Sequence, residues 1–318
     1  MTDSTASVAR RLASMREAAL LGMIAILIVA MSIVSPYFLS LANFQAVVAG
    51  MVPTAIIVVG MTILLVSGSF DLSVGSVMAL SSTVVALLLL SGVPIPIAIL
   101  AACAVGLGIG ALNGLIVTVL GVNPLIATLG TMSMARGAAL VFTEGFSLSS
   151  LPAGFAVFGK EQVFGLPLMA WIMLVIVLLG DIGLRRTRFL RQVYFIGGNE
   201  RAAALSGIPV ARVRVICFMI SGVLASVAGC LLASRLMSGT PTAGNALELQ
   251  VLAAAVIGGA SLRGGEGTVL GAFLGVVFVA LISNAMTMLA VSIYWQMIVT
   301  GFVLIVAVAV DMLARRKT

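Results

Sequence analysis

Ten continuous apolar runs, separated by short polar breaks, divide this sequence: 20–35, 43–66, 74–91, 95–119, 125–143, 166–184, 213–236, 247–261, 268–289 and 293–312. Most approach the roughly 20 residues that carry a helix across a hydrocarbon core. In lipid every backbone N–H and C=O must be bonded within the chain, so a spanning segment is a helix or part of a closed barrel. Barrel strands alternate apolar and polar residues; these runs do not. Only 8% of the 318 residues are charged and 62% are hydrophobic, against about 25% charged in a soluble domain. Too little polar surface exists to coat a particle in water. The predicted fold class is therefore all-α: a polytopic membrane helix bundle of about ten transmembrane helices, forming a single transmembrane domain over 1–318.

The basic residues orient the bundle. With the N-terminus cytoplasmic, Arg10, Arg11 and Arg16 lie inside, as do Arg185, Arg186, Arg188, Arg191, Arg201, Arg212, Arg214, Arg263, Arg315, Arg316 and Lys317. Fourteen of the 17 Lys and Arg residues then share one side, as the positive-inside rule requires. Arg136, Lys160 and Arg235 are left elsewhere. An even number of spans returns both basic termini to the cytoplasm, giving a cytoplasmic N-terminus at 1–19, an outer (periplasmic) loop at 144–165, a cytoplasmic loop at 185–212 and a cytoplasmic tail at 313–318. The first run leads into Ser35-Pro36-Tyr37 without a small-x-small cleavage site, so it reads as an uncleaved span. The net charge of +7 thus reflects topology, and no nucleic-acid partner is expected.

Absences exclude several chemistries. There is no His, hence no His metal ligand or general base. Cys103, Cys217 and Cys230 are far apart inside apolar runs and read as packing residues. Gly154 to Glu161 superficially matches the start of a phosphate-binding loop, but no Ser or Thr follows Lys160 and the segment lies outside. We expect no catalytic residue, metal or cofactor in this chain. Gly106, Gly110 and Gly114, and again Gly271 and Gly275, have the spacing of close helix packing, within the bundle or at a subunit interface.

Two breaks interrupt the pattern between comparable spans, Ser67 to Gly75 between the second and third and Ser238 to Asn245 between the seventh and eighth. Halves of five spans each would be inverted relative to one another, and paired Gly/Pro-interrupted segments in such halves point to a translocation site. The sequence leaves open whether segments 67–76 and 237–247 are loops or intramembrane breaks. Asp71 reads as an N-cap or a solute contact; Asn245 with Glu248 has capping-box spacing. Arg136 lies well inside the fifth run, where a central Arg costs about 2.5–3.5 kcal/mol, so it must face protein or water. Asn113 and Asn284 fall within long spans. Asp71, Asn113, Arg136, Glu248 and Asn284 are the candidate pathway residues.

The cytoplasmic loop carries a short helix signal. Asn199 is a good N-cap, Glu200 suits a positive helix end, Ala202, Ala203 and Ala204 propagate, and Gly207 and Pro209 stop. About two turns are marginal alone in water, so docking is expected, either in a partner's groove or against the bundle. Glu200-Arg201-Ala202-Ala203 with Gly207 is similar to the Glu-Ala-Ala…Gly loop of ABC importer permeases. Ser69-Phe70-Asp71-Leu72-Ser73-Val74-Gly75-Ser76 resembles the Gly-Ile-Asp-Leu-Ser-Val-Gly-Ser signature of the monosaccharide (ribose, xylose, galactose) permeases within the branched-chain amino acid and sugar permease superfamily. Phe70 and Ser69 depart from it. Pro124 to Met132, Gly197 to Glu200, Pro241 to Gly244, Ala254 to Leu262 and Tyr294 to Ile298 extend the likeness over nearly the whole chain.

The resemblance implies the transmembrane subunit of an ATP-driven sugar importer in the bacterial inner membrane, working by alternating access. Its implied partners are a second permease copy, identical or not, a cytoplasmic ABC ATPase, a periplasmic sugar-binding protein and the surrounding lipid. Asn199, Glu200, Ala202, Ala203 and Gly207 would form the coupling helix, and ATP would be hydrolysed by the partner. Branched-chain amino acid or autoinducer transport is the alternative within the superfamily. An ion-coupled secondary transporter would need membrane carboxylates, for which only Asp71 and Glu248 are candidates.

Overall fold

The computed structural model describes residues 2–315. Arg316 and Lys317 of the basic tail lie outside the described residues, as do the side chains of Arg10, Arg11, Arg16 and Arg315. In chain order the elements are α1 (Thr2–Val34), α2 (Leu41–Val66), α3 (Val74–Leu90), α4 (Ile95–Thr118) and α5 (Pro124–Thr143), then a 3-10 turn at Ala153–Ala156, α6 (Val157–Lys160) and a hairpin of β1 (Gln162–Val163) and β2 (Leu166–Pro167). The second part holds α7 (Leu168–Arg186), α8 (Arg188–Gly198), α9 (Glu200–Leu205), α10 (Val210–Leu236), α11 (Leu247–Ile257), α12 (Val269–Met288) and α13 (Ile293–Arg315). Seven helices are long and apolar enough to cross a membrane, and α3, α11 and Ile293–Val303 of α13 are shorter apolar helices. The protein is an all-α membrane bundle.

Each apolar run becomes a helix, and nine of the ten begin and end close to the expected positions because Gly, Pro, Ser and Asn punctuate the runs. α1 instead starts at Thr2, eighteen residues ahead of its run, since no helix-breaking residue separates the polar N-terminal stretch from it. Ser40 caps α2 by accepting from the Asn43 N–H at 3.2 Å, and Asn123 caps α5 through the Leu125 N–H at 2.8 Å. The eighth run stops four residues early, at Ile257. Gly258 lies against the Gly271 backbone and Gly259 takes φ +94°, so the chain turns there into α12.

α2 occupies the centre. Almost every residue from Met51 to Ser67 is buried, with α7, α10, α11 and α12 around it. Its interior Pro53 has no N–H, which orphans the Ala49 carbonyl four residues back. Arg235 at the end of α10 fills that position, its Nη1 donating to Ala49 O at 2.8 Å.

The stripe Gly106, Gly110, Gly114 on α4 meets the backbone of α10 at Gly222, Phe218 and Val215, and Gly271 and Gly275 meet Ala254 of α11 and Gly258 just past its end. Both stripes are therefore packing surfaces inside the bundle, where small residues let backbones approach. The packing also repeats: α3 lies on α4 and α5 as α11 lies on α12 and α13, and α4 packs on α10 as α12 packs on α2. The first span of each half departs from this exchange, since α1 rests on α12 whereas α7 rests on α2 and α12.

The two ends of the bundle differ. At one, Val66 O accepts from the Gly265 N–H at 2.8 Å, Tyr194 donates to Gly267 O at 2.7 Å, and Thr268 donates to Glu17 at 3.2 Å. The arginines of the 185–214 segment and Arg263 belong to this end. At the other, Leu148 pairs with Gly239, Gln45 donates to Gly165 O at 2.8 Å, and Ser234 donates to Phe155 O at 2.5 Å. The 144–165 segment is folded onto this second end, with Gly159 pressed against the Arg235 backbone.

Candidate functional site

The two interrupted segments meet inside the bundle. Past Val66 the chain turns through Gly68 and returns, so that Asp71 comes to Ser221, the residue that faces Gly60 of α2. Gly60 is six residues from the end of α2, about 9 Å of helical rise. The second segment descends along α3: Gly239 touches Ala86, Ser82 and Thr83, whereas Gly244 touches Gly75 and Met78. Ala86 and Gly75 are about 16 Å apart along a helix. α11 therefore begins deep in the bundle and, with 11 residues, spans only about 16 Å. Both segments thus run inside the bundle, against α3 and α10.

Asp71 is enclosed, with 1% of its surface exposed. Its Oδ1 accepts from the Ser73 N–H at 2.9 Å and the Ser73 hydroxyl at 2.6 Å, and Oδ2 accepts from the Ser221 hydroxyl at 3.3 Å. Asn113 of α4, also fully buried, donates to Ser73 Oγ at 3.0 Å and accepts from Thr131 of α5 at 2.7 Å. Ser73, not Asp71, takes the N-cap position of α3, and no side chain caps that helix. The Asp71 carboxylate instead holds Ser73 and ties it to Asn113 of α4 and Ser221 of α10. Sequence reasoning misses Ser73, Thr131 and Ser221, because a hydroxyl in an apolar run has no distinguishing mark.

Arg136 reaches the second break from α5, Nη1 donating to Pro241 O and Ala243 O, each at 2.7 Å. Those carbonyls lack helical partners, and a guanidinium is suited to hold several at once. Glu248 lies near enough to interact electrostatically with Arg136 without a direct ion pair. The expected Asn245–Glu248 capping box does not form. The chain enters α11 through Gly244 (φ +69°) and Ala246 (φ +59°), Ala246 takes the N-cap position, and no side chain caps the helix. Glu248 instead turns towards Gly75. Asn284 stands apart from these groups: it exchanges two hydrogen bonds with Asn43, at 2.7 and 3.1 Å. The five candidates fall into three places: Asp71 with Asn113, Arg136 with Glu248, and Asn284 with Asn43.

At the basic end, Asn199 Oδ1 accepts from the Ala202 N–H at 3.0 Å, so the expected cap starts α9, and Gly207 closes it at φ +82°. α9 is preceded by α8, a helix that the sequence pattern does not separate from the surrounding loop. Val193 and Ile196 of α8 face the core while Arg188 and Arg191 face out. Glu200 forms an ion pair with Arg214 at 2.8 Å, and that hydrogen bond holds its carboxyl below the ordinary glutamate range. Ala203 is buried against the protein itself, leaving Ala202, Ala204 and a 91% exposed Leu205 on the outer face. Gly197 at the end of α8 is wedged between Val66 O and Gly265, so this unit abuts the end of α2 directly.

A family model described as branched-chain amino acid transport system / permease component matches residues 43–308. The chain belongs to this permease family. Among the permease's relatives, the ribose import permease protein RbsC of Bacillus subtilis (strain 168) is 40% identical over 288 residues, covering 90% of this chain and 89% of the relative. The RbsC protein of Escherichia coli (strain K12) is 39% identical over 293 residues, 90% of each chain. The L-arabinose transport system permease protein AraH of the same strain is 35% identical over 287 residues, 90% of this permease and 88% of the relative. No solved structure matches it. As a permease component, this protein is a transport subunit and not an enzyme.

Proposed function

We propose that this permease is the transmembrane subunit of an ATP-driven importer that moves a monosaccharide, of which ribose is the first candidate, across the bacterial inner membrane. The observation that carries the reading is the 40% identity to a ribose import permease over nine-tenths of the chain. The chain crosses the membrane ten times with both termini cytoplasmic, α1 to α5, α7 and α10 to α13 forming the spans. It pairs with a second permease copy in the lipid bilayer, receives sugar from an external binding protein and is driven by a cytoplasmic ABC ATPase.

The α8–α9 unit is the coupling element. Asn199, Glu200, Ala202 and Gly207 shape its outward face, Ala203 anchors it, and Leu205 is the exposed apolar contact for the ATPase. Its seat against Val66 and Gly265 makes α2 the element that a push on α9 would displace, giving the two-state bundle a handle at each end. Arg136, Glu248 and Asn284 belong to the translocation pathway. Asp71 and Asn113, being enclosed, set the position of α3 behind it.

The test is reconstitution of the permease with its ATPase and sugar-binding protein in liposomes, measuring uptake of labelled ribose. Uptake that requires ATP and the binding protein is the expected result. Accumulation by the permease alone, driven by an ion gradient, would return the ion-coupled alternative; uptake of leucine in place of sugar would return the amino acid alternative.

A further inference from the structure

The half-length of α11 has a consequence between α2 and α12. A full helix would fill the slot between them; α11 begins near mid-membrane and leaves the outer half of that slot open as a cavity of about 260 Å³. Its wall carries Thr54 from α2, Gln250 from the first turn of α11, and Ser283, Asn284 and Thr287 from α12, interspersed with Val47, Met51, Val276 and Val279. The side chains of Thr54, Gln250 and Ser283 make no hydrogen bond to protein among the described residues. Polar groups packed within the bundle are commonly paired: Ser81 bonds Ser226, and Asn113 bonds Thr131. Uncommitted polar groups within a membrane are expensive. Here three of them, from three different helices, gather around one cavity.

Depth agrees with delivery from outside. Residues 46–54 of α2 lie roughly 8–20 Å from its outer end by helical rise, so the cavity runs from the outer surface to about mid-membrane and stops where α11 begins. Hydroxyl and amide groups alternate with aliphatic ones, which matches a sugar, whose ring edges carry hydroxyls and whose faces present C–H groups. The volume lies just below the ~300–1,000 Å³ of pockets for larger small molecules.

We infer that the cleft bounded by Thr54, Gln250, Ser283 and Asn284 is the outward-facing solute site of the permease, receiving a neutral monosaccharide released by the binding protein. This rests on the sugar-import reading above. Two variants test it in the full importer in liposomes. Gly50 lines the cleft and a Cβ there meets nothing within 4 Å, so Gly50→Leu brings a bulky side chain to the cleft without a clash at its Cβ. Ribose uptake should fall at least about tenfold, the scale expected when a hydrogen-bonded solute loses its site, while ribose-loaded binding protein still stimulates ATPase activity. Ser283→Cys, made without Cys103, should react with a small hydrophilic thiol reagent from outside and should be protected when ribose-loaded, but not ribose-free, binding protein is present. Wild-type uptake in Gly50→Leu, or equal labelling of Ser283→Cys with and without ribose while the wild type imports ribose, would overturn the assignment. Should Gly50→Leu fail to assemble, the labelling result decides alone. A wild type that imports no monosaccharide signals failure of the underlying sugar reading and is seen before either variant is made.

Discussion

The bond between Arg235 and Ala49 permits a quantitative test, because the structure says why it exists. Pro53 removes the N–H that would have served the Ala49 carbonyl, and Arg235 donates to that carbonyl at 2.8 Å. Removing one partner of a charge-assisted bond costs about 1.5–3 kcal/mol. Arg235 is only half-buried, which places Arg235→Leu at the lower end, about 1.5 kcal/mol. In a Pro53→Ala background the new N–H serves the Ala49 carbonyl itself, and the same substitution should cost about 0.5 kcal/mol or less. The coupling between the two sites is then about 1 kcal/mol, within the range measured for residues that share a partner.

Native cysteines supply the assay. Cys217 is fully buried and Cys230 nearly so, so in a Cys103→Ala background a thiol-reactive dye reports unfolding during a thermal ramp in detergent. At about 2–4 °C per kcal/mol, Arg235→Leu should lower the midpoint by about 3–6 °C with Pro53 present and by about 2 °C or less in the Pro53→Ala background. Equal losses in both backgrounds would refute the claim that Arg235 answers the proline.

Gly75→Ala should abolish most transport while leaving the permease in the membrane, because a Cβ there would meet Gly244 O and come within 2.7 Å of Glu248 Oε2; uptake against membrane yield checks this. Glu200→Lys and Gly207→Pro should each abolish sugar-stimulated ATPase activity with insertion intact, the first by reversing the charge opposite Arg214 and the second by breaking the φ +82° turn; normal stimulation in liposomes would remove coupling from this loop. The pH response of the Glu200–Arg214 pair has a definite sign. A carboxyl whose folded-state pKa is depressed contributes stability that is present above its unfolded value and is lost as pH falls through the folded one. Local protection of α9 against hydrogen exchange should hold through neutrality and decline only below the ordinary glutamate range near pH 4.5, and Glu200→Gln should remove that dependence. A cysteine at position 136 should resist a lipid-soluble label, since Arg136 reaches inward to Pro241 and Ala243.

The spans are readable because nearly every apolar run is bounded by residues that end helices for local reasons: Ser40, Asn123 and Gly259 act within their own turn. The close-packed glycine stripes are readable for the same reason, from spacing alone. α8 escapes detection because its buried apolar residues, Val193 and Ile196, are too few to make a run, and the arginines around them, Arg185, Arg186, Arg188 and Arg191, read as loop. Hydropathy detects long continuous apolar runs, and a helix lying against the end of a bundle needs only a narrow apolar face. The capping box at Asn245 fails at the level of backbone geometry. Left-handed positions on either side of it, at Gly244 and Ala246, turn the chain so that Ala246, not Asn245, stands at the helix start.

The candidate site is legible only in part, and the divide follows chemistry. Charged residues within apolar runs, Arg136 and Asp71, announce themselves because their burial demands partners, and both have them. Which partners they take depends on pairing across more than a hundred residues, Arg136 with Pro241 and Asp71 with Ser221, and no local pattern encodes that. Thr54, Gln250 and Ser283 are invisible for the opposite reason: neutral polar residues in spans are ordinary in sequence and become informative only when seen to lack protein partners. Sequence does carry one hint of them. Only about eleven residues separate the second break from Gly258, too few to cross a bilayer at 1.5 Å per residue. A helix that short must either lie outside the membrane or leave part of its slot empty, and an apolar run between two breaks excludes the first.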